Sequence, residues 1–191
     1  HFGAPHISTG EMLRSAIRQD SVVGRAVKKV LDEGNLVEDG LMVSLVRGRI
    51  GETDARVNGY ILDGFPRTVV QAEGMAKFAT IDVAIDLLVP EEVVLERISS
   101  RRVCAKCGAI YSVAAPPSTE WVCDKCGGEV QQRADDTPES IAKRLAAYTL
   151  ETQPTIDFYS ASGLLVGVDG LGTPDEIFAR LLGAIDAQLS K

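Results

Sequence analysis

The chain has 191 residues, a formal charge of -7, 45% apolar residues and 25% charged residues. That length and balance describe a globular chain with room for one compact domain and an insertion. The acidic excess argues against a general nucleic-acid binder, and no run nears the ~20 apolar residues of a membrane span.

The first seven residues are loop-like, with His6-Ile7 as a very short strand. His1 and His6 read as bystanders, because no second ligand lies near them in sequence. Ser8-Thr9-Gly10-Glu11 has the form of a capping box and predicts a helix to about Gln19, with Arg14 near its start. A helix start favours anions, although a solvated surface arginine is the alternative. A second helix is predicted from about Val22 to Glu33, with Gly34 as its C-cap. Residues 39–50 form a third, with Leu41, Leu45, Val46 and Ile50 inward.

After Gly51 a polar loop leads to a strand ending at Asp63. There Asp63-Gly64-Phe65-Pro66-Arg67 places a carboxylate, a glycine and an arginine at the carboxyl end of the strand. In open α/β sheets that edge is where ligands bind. The carboxylate suits a hydrated metal ion, and the arginine offers a fork for phosphate. A plain turn would have the same composition.

Residues 69–78 are helical, with Gln71 in the first turn. Asp82 to Val89 reads as a parallel strand covered on both faces. Pro90 opens a helix at N1 that runs to about Arg101, which would put Arg97 and Arg101 on one face. Residues 102–136 then hold all four cysteines: Cys104 and Cys107, fifteen residues, Cys123 and Cys126. Two C-x2-C pairs at this spacing read as a zinc site in a small hairpin-rich knuckle, with two disulfides as the rival pairing. Four thiolates would leave the metal no open position, which favours a structural role. Trp121 reads as packing around the site.

Thr137-Pro138 caps a helix reaching about Ser160, with Ile141, Leu145 and Tyr148 on its apolar face. A last strand spans Leu164 to Val168, and Thr173-Pro174-Asp175-Glu176 starts the final helix. Strand and helix alternate in the core, which predicts a parallel sheet flanked by helices. The helical excursion at 8–37 and the knuckle depart from that rhythm and read as two lids over one cleft. Arg14, Arg67, Arg97, Arg101, Arg133 and Arg144 fall at their mouths.

With these residues in view, the chain resembles a known family over essentially its whole length. Ser8 to Arg14, Leu36-Val37, Leu62 to Arg67 with Gln71, Arg101-Arg102, Arg133 to Asp136 and Lys143-Arg144-Leu145 strongly resemble adenylate kinase. The cysteine knuckle resembles the zinc-bearing lid of its long forms. The resemblance implies a P-loop NTPase-like core (1–7, 38–99 and 137–191), an AMP-binding insertion (8–37) and a zinc lid (100–136). It implies reversible phosphoryl transfer from Mg-ATP to AMP, giving two ADP, by a cytoplasmic monomer with no nucleic-acid or membrane partner.

The resemblance also implies residue roles. Thr9, Arg14, Asn35, Leu36, Val37, Gly64, Phe65, Pro66, Arg67, Gln71, Arg133 and Arg144 would hold AMP, with Arg14 and Arg67 at its phosphate. Arg67, Arg97, Arg101, Arg133 and Arg144 would be catalytic. Arg97, Arg101, Ile110, Tyr111 and Gly172 would meet ATP. Asp63 would hold magnesium through water, and Cys104, Cys107, Cys123 and Cys126 would hold zinc.

The family's G-x-x-x-x-G-K-[ST] loop is absent from residues 1–191. The first residue is His, so the expectation is that the working protein carries an upstream strand, glycine loop and helix. Without them a central slot lined by Tyr60–Asp63 and Asp82–Val89 would be empty. A folded, active chain of only 20.4 kDa would overturn that expectation. The competing readings are an AMP-binding but catalytically incompetent fragment lacking the P-loop, and a zinc-ribbon nucleic-acid module.

Overall fold

The computed structural model describes residues 2–190; His1 therefore lies outside the described residues. In chain order, β1 (His6–Ser8) leads into α1 (Thr9–Arg18), α2 (Val22–Asp32), α3 (Asp39–Ile50) and α4 (Thr53–Asn58). Next come β2 (Ile61–Asp63), α5 (Val69–Ala76), β3 (Ala84–Leu88) and α6 (Glu91–Ser100). The strands β4 (Arg101–Cys104), β5 (Ile110–Ser112) and β6 (Val130–Gln131) follow, then α7 (Pro138–Ala147) and α8 (Gln153–Ala161). The chain closes with β7 (Leu165–Asp169) and α9 (Pro174–Leu189).

Two compact units divide these elements. One takes the stretch up to Val27, Val37–Val89 and the stretch from Ala147 onward; the other takes Lys28–Leu36 and Pro90–Ala146.

In the first unit the pairing is parallel, as strand–helix alternation predicts. β1 runs alongside β2 with His6 opposite Ile61 and Ser8 opposite Asp63. β3 runs alongside β7 from Ala84 opposite Leu165 to Leu88 opposite Asp169. Helices flank these pairs: α9 and α8 pack on β7, and α5 packs between α3 and α8. The expected cover over β3 differs. Leu87 and Leu88 are about half exposed, and among the described residues β2 and β3 each have a single ladder partner.

Several boundaries move for physical reasons. Ser8 ends β1, and its side chain does not cap α1. The Glu11 carboxylate that a capping box would use instead takes Arg14 Nε at 3.4 Å and also pairs with Arg18. The loop after Gly51 contains α4, because Arg49 grips Asp54 through two bonds of 2.9 and 2.7 Å and so anchors the first turn. The pairing with Arg49 holds the Asp54 carboxyl below its usual range.

Pro90 precedes α6 rather than opening it, and α6 ends at Ser100. Arg101 is already extended in β4, so Arg97 and Arg101 do not share a helix face. The helix expected to reach Ser160 widens into a π turn at Tyr148–Thr152. Pro154 lacks an N–H and crowds the carbonyl four residues back, at Leu150, which accounts for the break. Inside α3 the deepest residues are Met42 and Val46, with Leu41, Leu45 and Ile50 only half-buried.

Other expectations hold. The chain leaves α2 through Gly34, with Gly34 N–H on Leu31 O and Asn35 N–H on Val30 O, a Schellman closure. Thr173 and Glu176 cap α9 reciprocally.

One close approach carries a prediction. A Cβ built on Gly24 would lie 2.1 Å from the carbonyl oxygen of Ala16, which is backbone and has nowhere to move. Ser21 ties the same corner by donating to Ala16 O at 3.0 Å and accepting from Gly24 N–H at 3.0 Å. Gly24→Ala is expected to force α1 from α2 and lower stability by about 1–3 kcal/mol. Thermal unfolding with an unmoved midpoint would contradict it.

Candidate functional site

The turn after β2 is built as a knot of side-chain and backbone bonds. Gly64 sits at φ 73°, where a side chain would be strained, and a Cβ there would come within 2.9 Å of the Arg67 guanidinium. Its carbonyl accepts Thr9 Oγ1 at 2.9 Å and Arg67 Nε at 2.9 Å. Phe65 is buried, the Phe65–Pro66 bond is cis, and Thr152 donates to the Arg67 carbonyl at 3.0 Å. Arg67 N–H donates to Gln71 Oε1 at 2.8 Å, and Gln71 Nε2 donates to Asp39 Oδ1 at 2.8 Å. Thus Thr9, Gly64, Arg67 and Gln71, read from distant parts of the sequence, meet in one cluster.

Asp63 closes β2 with its side chain 60% exposed, open to a hydrated cation. His6 Nε2 lies 3.2 Å from Asp63 Oδ2. The parallel β1–β2 register brings these two residues, 57 apart in the chain, side by side, which proximity in sequence could not show. Arg14 stays on α1 beside Glu11. Its guanidinium reaches back over Gly10 toward the helix start, because helical side chains lean toward the N-terminus. Val37 is buried. Gly172, at φ 105°, follows Leu171, whose carbonyl accepts Arg180 Nη2 at 2.6 Å. Arg180 also holds the Asp169 carbonyl, a role no motif in the sequence announced.

The second unit gathers another set. Asp136 is fully buried, with 0% side-chain exposure. Its Oδ2 accepts Arg101 Nε at 2.9 Å, and its Oδ1 accepts Arg101 Nη2 and, at 3.2 Å, Arg144 Nη1. Arg144 also lies 3.5 Å from the Asp135 carboxylate. Gln132 Nε2 donates to the Asp136 carbonyl at 2.8 Å. Both arginines remain partly exposed, at 20% and 25% of their side chains. Arg133 is half-buried before the short 3-10 turn Ala134–Asp136, Arg97 is exposed on α6, and Leu36 is half-buried. Asn35 is exposed and donates to Glu33.

The same unit contains the cysteines, under the antiparallel sheet β5-β4-β6. All four sulfurs lie within 4.8 Å of one another, with Cys104 to Cys126 at 3.5 Å and Cys107 to Cys123 at 3.6 Å. These are free thiols, not the rival disulfides. A tetrahedral zinc with bonds of about 2.3 Å spaces its sulfurs about 3.8 Å apart, so the set fits such an ion. Each C-x2-C pair makes the same turn: Gly108 N–H donates to Cys104 O at 3.0 Å and Gly127 N–H to Cys123 O at 2.8 Å.

Trp121, Tyr111, Ala109 and Val130 pack around the sulfurs, as expected of Trp121, and Arg102 lies over the indole. Tyr111 donates to Cys123 Sγ at 3.4 Å and accepts the Asp124 N–H at 2.9 Å, while Ile110 is exposed. The Tyr111 hydroxyl draws the Cys123 thiol down to about 6, and the facing sulfur pushes the phenol up to about 12. The Gly128 N–H favours the Cys126 thiolate, but neighbouring sulfurs outweigh it and lift Cys126 to about 12.

Comparison with known proteins points one way. The family model described as adenylate kinase matches residues 1–164. The chain is 43% identical to an adenylate kinase of Clostridium tetani over 97% of its own length and 89% of that protein. It is 46% identical to one from Caldicellulosiruptor bescii over 86% of itself and 79% of the relative. With a Streptomyces avermitilis adenylate kinase it shares 42% over 97% and 87%.

Proposed function

The chain belongs to the adenylate kinase family, and from that premise we propose how its residues divide the work. It is a phosphotransferase: the γ-phosphoryl group of ATP passes to a phosphate oxygen of AMP. The bond to the ATP β-phosphate oxygen breaks, the bond to AMP forms, and two ADP result. The rival reading, an AMP binder without turnover, is not favoured, since relatives aligned over most of the chain are adenylate kinases.

In this reading one set of residues makes the AMP contacts. Arg14 and Arg67 take the AMP phosphate, while Thr9, Val37, Gly64, Phe65, Pro66 and Gln71 hold the nucleoside. The observation that carries it is the knot at Gly64–Arg67. Arg67 is fixed there through its backbone by Gln71 and Thr152 and through its Nε by Gly64. A guanidinium held that way loses little freedom when it meets a phosphate.

Asn35 and Leu36 also serve AMP, and Arg97, Arg101, Arg133 and Arg144 act on the phosphoryl group. Phosphoryl transfer asks mainly for alignment and charge stabilisation, which fixed arginines supply. Ile110, Tyr111 and Gly172 serve the ATP nucleoside. The exposed Asp63 carboxylate suits magnesium held through water, an ion that neutralises phosphate charge when bound with ATP. The four thiols take a structural zinc and fit a reducing compartment, hence a cytoplasmic enzyme, acting as a monomer. The proposed divisions are a core of 1–7, 38–99 and 137–191, an AMP-binding segment 8–37 and a lid 100–136.

The test is ADP formation by the full protein from ATP and AMP with magnesium. ADP from both nucleotides together, and from neither alone, is expected; no ADP refutes the function.

A further inference from the structure

Gln71 is a buried carboxamide held between two unlike groups. Its Oε1 accepts the Arg67 N–H at 2.8 Å, and its Nε2 donates to Asp39 Oδ1 at 2.8 Å. The same Oδ1 accepts the Thr68 hydroxyl at 3.0 Å, and Thr68 in turn caps α5 by accepting the Gln71 N–H at 3.1 Å. Asp39 is free for this role because its neighbour Glu38 caps α3, accepting from Gly40 at 3.0 Å and Leu41 at 2.8 Å.

The two ends of a carboxamide have nearly the same shape and opposite hydrogen-bonding character. A backbone N–H only donates, and a carboxylate only accepts. Turning the Gln71 amide over would set donor against donor at Arg67 and acceptor against acceptor at Asp39. Arg67 therefore fixes the oxygen end and Asp39 fixes the nitrogen end.

We infer that Asp39 is a specificity-determining positioning residue, which sets the site for 6-aminopurine against 6-oxopurine monophosphates by fixing the Gln71 carboxamide. The inference rests on the reading above that Gln71 meets the purine. After its two bonds the amide retains one N–H and one lone pair, in a fixed order. Adenine offers an acceptor at N1 and a donor at N6. Hypoxanthine offers a donor at N1 and an acceptor at O6, the same pair reversed. An amide held one way matches one order, and the same amide turned over matches the other. A site that hydrogen-bonds its substrate in this manner rejects the mismatched base, because buried polar groups are left unpaired.

Initial rates of the full protein and of Asp39→Asn, with ATP as donor and either AMP or IMP as acceptor, test this. Asparagine keeps the shape of Asp39 but both donates and accepts, so either amide orientation is satisfied there. The AMP-over-IMP ratio of kcat/KM is expected to fall about tenfold, the weight of one hydrogen bond, partly through a gain with IMP. An equal loss with both acceptors overturns the inference, since a purely structural Asp39 would give that. Should the asparagine variant fail to fold, Asp39→Ser carries the same test, as a hydroxyl also donates and accepts. No preference for AMP over IMP in the unmodified protein overturns the Gln71 reading. No ADP from AMP refutes the proposed function itself, and the inference falls with it.

Discussion

Arg101→Ala is expected to lower stability by about 3–5 kcal/mol, the cost of stranding a buried charge. The asymmetry of the Asp136 site decides this. The carboxylate has no exposed surface, whereas the arginines that neutralise it are each partly in water. When Arg101 is lost, Asp136 cannot follow its solvation outward, and Arg144 alone reaches only Oδ1, at 3.2 Å. Loss of Asp136 is milder, because two partly exposed guanidinium groups can turn to water. Asp136→Ala is therefore expected to cost about 1–3 kcal/mol, the penalty of broken charged hydrogen bonds. The double variant should be more stable than Arg101→Ala alone, since it removes the stranded group. Urea midpoints of the three variants check this, and strictly additive losses would contradict it.

Removing a metal held by the four cysteines is expected to unfold the knuckle. Its core consists of Cys104, Cys123 and Val130 with Ala109, Tyr111, Trp121 and Cys126 packed around them, too small a set to hold three short strands unaided. For sites of this kind, metal binding is the folding energy. Zinc chelation, or Cys104→Ser, should lower the melting midpoint and quench the fixed environment of Trp121, the only tryptophan. The pH dependence has a definite sign: protons compete with the metal for the thiolates, so the ion is held at neutral pH and released as pH falls. Intrinsic fluorescence and thermal unfolding follow both. Retention of Trp121 order after complete metal removal would contradict the structural role.

Much of the chain could be read from residue type and spacing, because the signals were local. The Gly34 exit from α2, the Thr173–Glu176 box and the C-x2-C pairs each lie within a few residues of sequence and behave as read. Failures came where a competing partner outbid the expected one. Glu11 could cap or pair, and Arg14 and Arg18 won it. Arg101 could continue a helix face, but Asp136 and the β4 pairing drew it into a strand. His6 and Asp39 carried no motif at all; only the parallel register of β1 with β2, and the packing of α3 on α5, gave them meaning. The relatives share 42–46% identity with this chain, which fixes the family.

The cysteine knuckle enters on β4 and leaves on β6, and these two strands are ladder neighbours, with Val103 opposite Gln131 and Cys104 opposite Val130. Its two ends thus lie about 5 Å apart, the spacing of paired strands. The insert is thus a patch with both stems sewn side by side. A segment of quite different chemistry, joined at the same two strands, would leave the path of the remaining chain unchanged.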